Sequence, residues 1–209
     1  MYISRVPLDV SRRKTQIALV SPNKIHGAVE EAFSEKQDRN LWRIDILKGR
    51  TYLLIISAMK PDLSRIAVQF GFEEDWGETK EYDGLLKRID KGSAWHFRLA
   101  ANPVHSVKDG EKRGKVTAHT SEKYQLEWLN RQAAKKGFRI LPDGAYVVES
   151  GWKIFKKANF QQKVRIFEAV YEGTLYVEDV DAFRDTLVSG IGREKAYGMG
   201  LLTVVKAEV

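Results

Sequence analysis

The order in which strand-like and helix-like segments follow one another constrains the fold of this chain more than any other feature of its sequence. In each half of the 209 residues the order is strand, helix, strand, strand, helix, strand. A chain of this length forms either one large domain or two small ones of roughly 100 residues each. Because the same order occurs twice, we expect two small domains of the same architecture.

Capping and turn residues separate the segments of the first half. Ser21 and Pro22 are typical of a helix N-cap followed by proline at the first helical position. Trp42, Ile44 and Ile46 alternate with polar residues, as in a half-buried strand. The predicted elements are a strand over 2–6, a helix from 22 to about 35, a hairpin of strands over 41–47 and 51–58, a helix from 62 to 71, an irregular acidic segment over 73–78 and a strand over 85–89.

The second half repeats this order in its architecture, although not in its sequence. The predicted elements are a strand over 95–100, a helix from 121 to about 136, a short apolar segment over 146–148, a strand-like segment over 164–177, a helix over 180–188 and a strand over 201–205. The fold class is therefore α+β, with two tandem ferredoxin-like domains over residues 1–92 and 93–209.

A glycine-rich segment, residues 190–202, lies close to the C-terminus. Its four glycines bracket a short basic and aromatic stretch that contains Arg193 and Lys195. Such glycines indicate positive φ angles or a partner close to the main chain. The spacing fits neither a Walker loop nor a dinucleotide-binding fingerprint. Two interpretations remain, a loop that binds phosphate through its amides and a helix C-cap followed by a turn into the last strand.

Composition limits the partners and the compartment. The net charge is +7, the pI is about 9.4 and the basic excess is larger in the second half, which fits a polyanionic partner. The absence of cysteine excludes disulfides and thiolate metal sites and fits a reducing cytoplasm. The sequence has neither an apolar stretch long enough to cross a membrane nor a signal-peptide pattern at its start. We expect a cytoplasmic protein with no membrane partner.

Four sequence pieces in the right order resemble the CasE family, the pre-crRNA endoribonucleases of type I-E CRISPR systems within the RAMP superfamily. These are MYISRV at 1–6, FRLAANP at 97–103, EWL at 127–129 and the glycine-rich segment. The resemblance covers essentially the whole chain. There are two departures: Ala100 replaces a second arginine that the family commonly carries, and Asn23 replaces a tyrosine.

The resemblance implies an activity and a catalytic residue. CasE proteins bind the stem-loop of CRISPR repeat RNA, cleave it without a metal and stay bound as a subunit of the Cascade surveillance complex. The products are a 2′,3′-cyclic phosphate and a 5′-hydroxyl. The family's catalytic histidine falls on His26, which lies near the start of the first predicted helix, and histidine is the residue type that most often transfers protons in catalysis. The family's second catalytic position, often a tyrosine, falls on Asn23, which can hydrogen-bond a phosphate but cannot donate a phenolic proton.

RNA contacts are predicted for basic residues in two clusters and the glycine-rich segment. In CasE a basic hairpin inserts into the groove of the repeat stem, and the resemblance places this hairpin near 152–165, where aromatic residues mix with lysines. The 108–115 segment is basic but mixed in charge, and solvated surface is its alternative interpretation. The predicted RNA-binding residues are Lys153, Lys156, Lys157, Lys163, Arg98, Lys112, Arg113, Arg193 and Lys195.

Other chemistries are less well supported by the sequence. His96, His105 and His119 have no partners at ligand spacing, so no metal or other cofactor is expected. Glu178, Asp179 and Asp181 fit caps at a helix start better than Mg²⁺ ligands. An RNA-recognition motif shares the fold, but its aromatic signature string is absent. Two functional alternatives remain: a non-catalytic crRNA-binding scaffold, which Asn23 favours, and a metal-dependent nuclease.

Overall fold

A computed structural model describes residues 1–35, 40–109, 112–156 and 163–207, with the side chains of 108, 109, 112 and 113 excluded. In chain order the elements are β1 (Tyr2–Pro7), α1 (Arg13–Leu19), α2 (Pro22–Glu31), β2 (Leu41–Leu47), β3 (Arg50–Ser57), α3 (Leu63–Phe70), β4 (Glu78–Glu81), α4 (Asp83–Leu86), β5 (Ala94–Ala101), β6 (Val104–Asp109), β7 (Lys112–Ala118), α5 (Glu122–Ala133), β8 (Phe138–Lys156), β9 (Lys163–Val177), α6 (Val180–Ser189) and β10 (Leu202–Lys206). A 3₁₀ turn, Lys195–Tyr197, lies between α6 and β10. Within these residues no helix is long and apolar enough to span a membrane.

Two four-stranded antiparallel sheets confirm the tandem ferredoxin-like fold. The first has the strand order β2-β3-β1-β4 and the second the order β10-β5-β9-β8. In both, the first and third strands of the repeat lie at the centre, as the β-α-β-β-α-β plan requires. The β6–β7 hairpin is inserted after β5 and forms a separate two-stranded sheet.

Strand β3 of the first sheet is buried on both of its faces. Leu53 and Ile55 of β3 pack against the helices of the first half, whereas Leu54 and Ile56 belong to a second core that includes Trp95 and Leu202 of the second half. Successive side chains of a strand point to opposite faces, so β3 contributes to both cores. The second core therefore extends across the two halves. The domain boundary after residue 92 stays a prediction.

Several sequence-based predictions of elements are wrong. Residues 85–89 form no strand; Asp83–Leu86 is a short helix, and the fourth strand is Glu78–Glu81 at the edge of the sheet. A polar edge strand carries no alternating apolar pattern that sequence analysis can detect. Helix α1 and the β6–β7 hairpin were also not predicted, and the short apolar segment at 146–148 belongs to the 19-residue strand β8. Helix α2 ends at Glu31 rather than near residue 35.

Candidate functional site

Helix α2 carries His26 and Asn23, and it lies against the glycine-rich segment of the second half. Pro22 occupies the first turn, where its missing N–H costs nothing. Ile25, Ala28 and Val29 bury one face of the helix in the first core, and the helix contacts the 3₁₀ turn 195–197. The fold therefore brings the predicted catalytic helix together with the segment that identifies the family in the sequence.

The imidazole of His26 is partly exposed, but one of its nitrogens is covered. Its side chain is 39% exposed, whereas Nδ1 is covered and has no hydrogen-bond partner among the described residues. Glu30 Oε1 lies 3.9 Å from this Nδ1 atom. The exposed part of the ring is thus the part away from Nδ1, so the ring can offer Nε2 to a bound molecule.

Asn23 lies one turn before His26 and borders a shallow groove between the helices of the first half. Its Oδ1 atom is covered and lacks a hydrogen-bond partner within the described residues. Lys14, Lys24 and Gln69 also line this groove. An amide can bind a phosphate oxygen but has no proton to give at neutral pH, so Asn23 cannot replace the acid–base chemistry of a tyrosine.

The glycine-rich segment is a tightly closed turn. Gly190 ends helix α6 with φ 75° and donates its N–H to Thr186 O, while Ile191 N–H donates to Gly200 O at 2.9 Å and Gly200 N–H to Ala100 O at 2.7 Å. These amides are therefore used within the protein, which supports the C-cap and turn interpretation over a phosphate-binding loop of free amides.

The two basic residues of this segment differ. Lys195 Nζ donates to Ser189 O at 2.6 Å, so its charge compensates the C-terminal end of helix α6. Arg193 is exposed. Of the two, Arg193 is better placed to meet a phosphate.

Strands β8 and β9 carry three of the predicted RNA contacts, Lys153, Lys156 and Lys163. Lys153 is paired with Glu168, with Nζ 2.7 Å from Oε2. Lys156 and Lys163 are exposed and directly opposite each other. Two like charges at such a position destabilise a strand pair, and an anion that contacts both lysines relieves the repulsion. Lys157 lies outside the described residues.

Phe155 and Trp152, the aromatic residues that the sequence analysis associated with this hairpin's lysines, have different environments. Phe155 is buried and packs against Tyr197, with ring centroids 5.0 Å apart. Trp152 is 47% exposed, and the Arg165 guanidinium lies 4.5 Å from its ring centroid. Phe155 is therefore a core residue that anchors the hairpin to the glycine-rich segment, whereas Trp152 stays accessible.

Arg98 belongs to a partly buried ionic network that sequence reasoning missed. It pairs with Asp45 at 3.3 Å and with Glu172. Asp45 is in turn paired with Arg43, and both are almost fully buried. The alternation of apolar and polar residues along β2 predicted that Arg43 and Asp45 face solvent. Their i, i+2 spacing places them on one face of the strand, where an ion pair between them is possible. Arg98 is thus held by carboxylates. Lys112 and Arg113, which are also predicted RNA contacts, lie on β7, and their side chains are not among those that the structure describes.

A cleft separates helix α2 from the β8–β9 hairpin. Its lining includes Pro22, Trp42, Lys153, Glu168 and Tyr197. Lys153 therefore faces the same space as the start of helix α2, whereas His26 does not line this cleft.

The remaining histidines have structural partners. His96 Nδ1 lies 3.0 Å from Thr174 Oγ1. His105 and His119 stack with ring centroids 4.3 Å apart. Burial, together with the charges of His105 and Arg131, lowers the pKa of His119. Contacts within the protein therefore explain how these three imidazole rings are positioned, and no ligand has to be invoked.

The acidic residues near the start of α6 are a cap and surface ion-pair partners. Asp179 accepts a hydrogen bond from Ala182 N at 3.0 Å, as an N-cap does. Glu178 pairs with Arg139, and Asp181 with Arg184. The part of the chain that the structure describes contains no cluster of metal-ligating side chains.

The fold and the site together define a protein of two tandem ferredoxin-like domains, in which a histidine-bearing helix of the first domain contacts a glycine-rich turn of the second. The chain belongs to the family of CRISPR-associated proteins, because the model of that family matches residues 1–206.

Several known proteins are similar to this chain over most of its length. The CRISPR-associated endoribonuclease Cse3 of Thermus thermophilus is 25% identical, over 98% of this chain and 99% of its own length. The Cascade subunit CasE of Escherichia coli is 27% identical over 73% of both chains. A solved structure of CRISPR endoribonuclease Cse3 bound to a 19-nucleotide RNA superposes with a TM-score of 0.79 at 23% identity, covering 98% of this chain and all of that one. The resemblance to CasE is confirmed.

Proposed function

We propose that this protein is an endoribonuclease that binds the stem-loop of CRISPR repeat RNA and cleaves pre-crRNA to mature crRNA. The observation that carries the proposal is His26, an accessible imidazole near the start of helix α2 in a chain that aligns over 98% of its length with an endoribonuclease. The similarity to a Cascade subunit extends the proposal: the protein stays bound to its product and joins other Cascade subunits in the cytoplasm.

The proposed reaction is an internal transesterification. The 2′-hydroxyl next to the scissile bond attacks its own phosphorus, and the bond from phosphorus to the 5′-oxygen breaks. A 2′,3′-cyclic phosphate and a 5′-hydroxyl result. His26 takes the proton from the 2′-hydroxyl as a general base or gives one to the leaving 5′-oxygen as a general acid. Asn23 cannot supply the second proton transfer, so that group is unassigned.

The charge of the second domain supports RNA as the substrate. Lys156 and Lys163 form an exposed, mutually repelling pair on the β8–β9 hairpin, and RNA phosphates are the anions that such a pair accommodates. Lys157, Lys112, Arg113 and Arg193 are proposed as further phosphate contacts. Lys153, Arg98 and Lys195 are retained with a smaller role, because carboxylates and a carbonyl already hold them.

A non-catalytic scaffold is the second candidate, and Asn23 favours it. If cleavage in the family depends on the tyrosine, a chain with asparagine at this position keeps the RNA-binding surface and loses turnover. Its RNA affinity then equals that of an active enzyme, whereas its cleavage rate is at background.

The proposal is tested by incubating purified protein with its repeat-stem RNA in EDTA, beside His26→Ala and a matched control, His96→Ala. Cleavage by the wild type and by His96→Ala but not by His26→Ala is the expected result. Cleavage that survives in His26→Ala removes His26 from the mechanism. Tight binding without cleavage by any of the three supports the scaffold, and loss of wild-type cleavage in EDTA with recovery in Mg²⁺ supports a metal-dependent nuclease.

A further inference from the structure

A carboxylate lies beside the proposed catalytic imidazole, one helical turn further along α2. Glu30 Oε1 is 3.9 Å from His26 Nδ1. Residues four apart on a helix are neighbours on its surface, so this contact follows from the helix itself. Both side chains are rather more than a third exposed, 39% for His26 and 37% for Glu30. The pair is thus open to solvent on one side.

The environment of the His26 Nδ1 atom indicates that Glu30 does more than form a surface ion pair. Nδ1 is covered by protein and has no hydrogen-bond partner in the described ranges. A covered polar atom without a partner is unfavourable and calls for an explanation. Glu30 Oε1, at 3.9 Å from Nδ1, lies beyond hydrogen-bond distance by roughly 1 Å. Hydrogen bonds of catalytic groups are often long in a free enzyme and shorten when the substrate is bound.

Glu30 is itself held in place from a different element. Asn40, which is 95% buried immediately before β2, donates from Nδ2 to Glu30 Oε1 at 3.4 Å. The contacts therefore run from the start of β2 through Glu30 to the ring of His26. A carboxylate that is oriented from behind and faces an imidazole nitrogen is the usual arrangement for fixing a catalytic histidine.

We propose that Glu30 is the positioning residue of His26. Its carboxylate accepts the Nδ1–H of the ring, which fixes the tautomer whose free Nε2 lone pair faces the RNA. As a general base, Nε2 takes the proton of the 2′-hydroxyl, and Glu30 stabilises the imidazolium that forms. As a general acid, the same imidazolium gives the Nε2 proton to the 5′-oxygen. This inference rests on the proposed function, since it assigns Glu30 a role only if His26 moves a proton.

The kinetic test compares three variants with the wild type. Glu30→Ala removes the acceptor, Glu30→Gln keeps one neutral acceptor oxygen, and Glu31→Ala removes the neighbouring carboxylate, which accepts from Gln69 instead. Single-turnover cleavage is measured with saturating protein, and affinity is measured on RNA with a 2′-deoxy group at the scissile position. We expect Glu30→Ala to slow cleavage by about 10- to 100-fold, part of the roughly 10²- to 10⁴-fold that a positioned acid or base contributes. Glu30→Gln recovers part of the loss, Glu31→Ala has no effect on the rate, and RNA affinity changes less than about twofold.

A spectroscopic readout tests the tautomer without cleavage. Nitrogen-15 chemical shifts of the His26 ring, recorded in the uncleaved complex with 2′-deoxy RNA, are expected to report protonated Nδ1 in the wild type and a mixture of tautomers in Glu30→Ala. A wild-type ring with the proton on Nε2 overturns the proposal whatever the rates are. If Glu30→Ala fails to fold, the cleavage rate of Glu30→Gln and the nitrogen-15 spectrum of the wild type still test the proposal.

The outcomes separate this inference from the proposed function. Cleavage by His26→Ala removes His26 from the mechanism and, with it, any role for Glu30, whereas the absence of cleavage by the wild type rejects the proposed function. Loss of cleavage in His26→Ala together with a wild-type rate in Glu30→Ala rejects Glu30 alone. A decrease of rate that is equal in Glu30→Ala and Glu31→Ala also rejects it, because lost negative charge then explains the effect.

Discussion

Arg43 and Asp45, two residues apart on strand β2, form a buried bidentate ion pair that faces the second domain. Arg43 Nε lies 2.8 Å from Asp45 Oδ1 and Nη2 lies 2.6 Å from Oδ2. The other three N–H groups of the guanidinium donate to Arg98 O, Leu201 O and Thr203 Oγ1. All five of its donors are thus satisfied. A side chain of the first sheet thereby joins the central and edge strands of the second.

Removal of Arg43 is expected to be strongly destabilising. Arg43→Met leaves Asp45 buried with only the 3.3 Å contact to Arg98, and it removes a donor from the carbonyls of Arg98 and Leu201. Breaking a buried pair by removing one partner costs about 3–5 kcal/mol. Urea denaturation followed by circular dichroism measures the loss. The exposed Arg65–Asp62 pair provides the control, since Arg65→Ala should cost less than about 1 kcal/mol.

A double replacement separates the burial of charge from the loss of packing. Arg43→Met combined with Asp45→Leu removes both charges, and we expect it to be more stable than Arg43→Met alone, because no uncompensated carboxylate remains. If the double variant is no more stable than the single one, the lost carbonyl contacts and not the buried charge determine the cost.

The same pair explains what sequence analysis could and could not recover. Trp42, Ile44 and Ile46 predicted strand β2 correctly, because alternation is a local property. They could not predict that the opposite face is covered, since the covering residues, such as Leu201, lie far along the chain. Strand β4 was missed for a related reason: as a polar edge strand it has pairing partners but no apolar face.

Of the candidate site, too, one part could be predicted from the sequence and another part could not. His26 could be proposed from the CasE resemblance because the residue type and its place in a helix are local. The burial of Nδ1 and the contact of Asn40 with Glu30 could not, because Asn40 lies ten residues beyond Glu30 and outside the helix. The spacing of His26 and Glu30 was a signal that could have been used.

Gly198 tests how closely the glycine-rich segment must pack against the first domain. It has φ 83°, and a Cβ atom there would lie 2.6 Å from the Trp42 ring. Gly198→Ala is therefore expected to cost about 1–2 kcal/mol for the left-handed backbone and a further 1–3 kcal/mol, roughly, for the overlap. Thermal or urea denaturation measures the sum.

Gly49 provides a control that isolates the backbone term. Its φ is 77°, but a Cβ atom there meets nothing within 4 Å. Gly49→Ala should therefore cost only the backbone term. Equal losses at both positions would contradict the close packing of Gly198 on Trp42.

The opposed lysines of the β8–β9 hairpin predict a salt-dependent contribution to RNA binding. Lys156→Gln and Lys163→Gln each remove one phosphate contact, so each should weaken affinity and lower the slope of log affinity against log salt by about 1. Lys91→Gln, at an exposed lysine before β5, should leave the slope unchanged. Filter binding or fluorescence anisotropy over a range of salt concentrations measures the slopes. Unchanged slopes in both hairpin variants would place the RNA elsewhere.

The lowered pKa of His119 predicts that the protein loses stability in mild acid. Burial, with the charges of His105 and Arg131, lowers the pKa of His119 below its usual value of 6.5. The unfolded chain therefore takes up this proton at a higher pH than the folded protein does. The contribution of the neutral ring is fully present above about pH 6.5 and is lost as the pH falls from there toward the lowered pKa. His119→Gln should flatten this part of the stability profile, measured by urea denaturation between about pH 5 and 7.5. An NMR titration of the wild-type ring checks the cause, and a pKa of His119 at or above 6.5 would contradict the prediction.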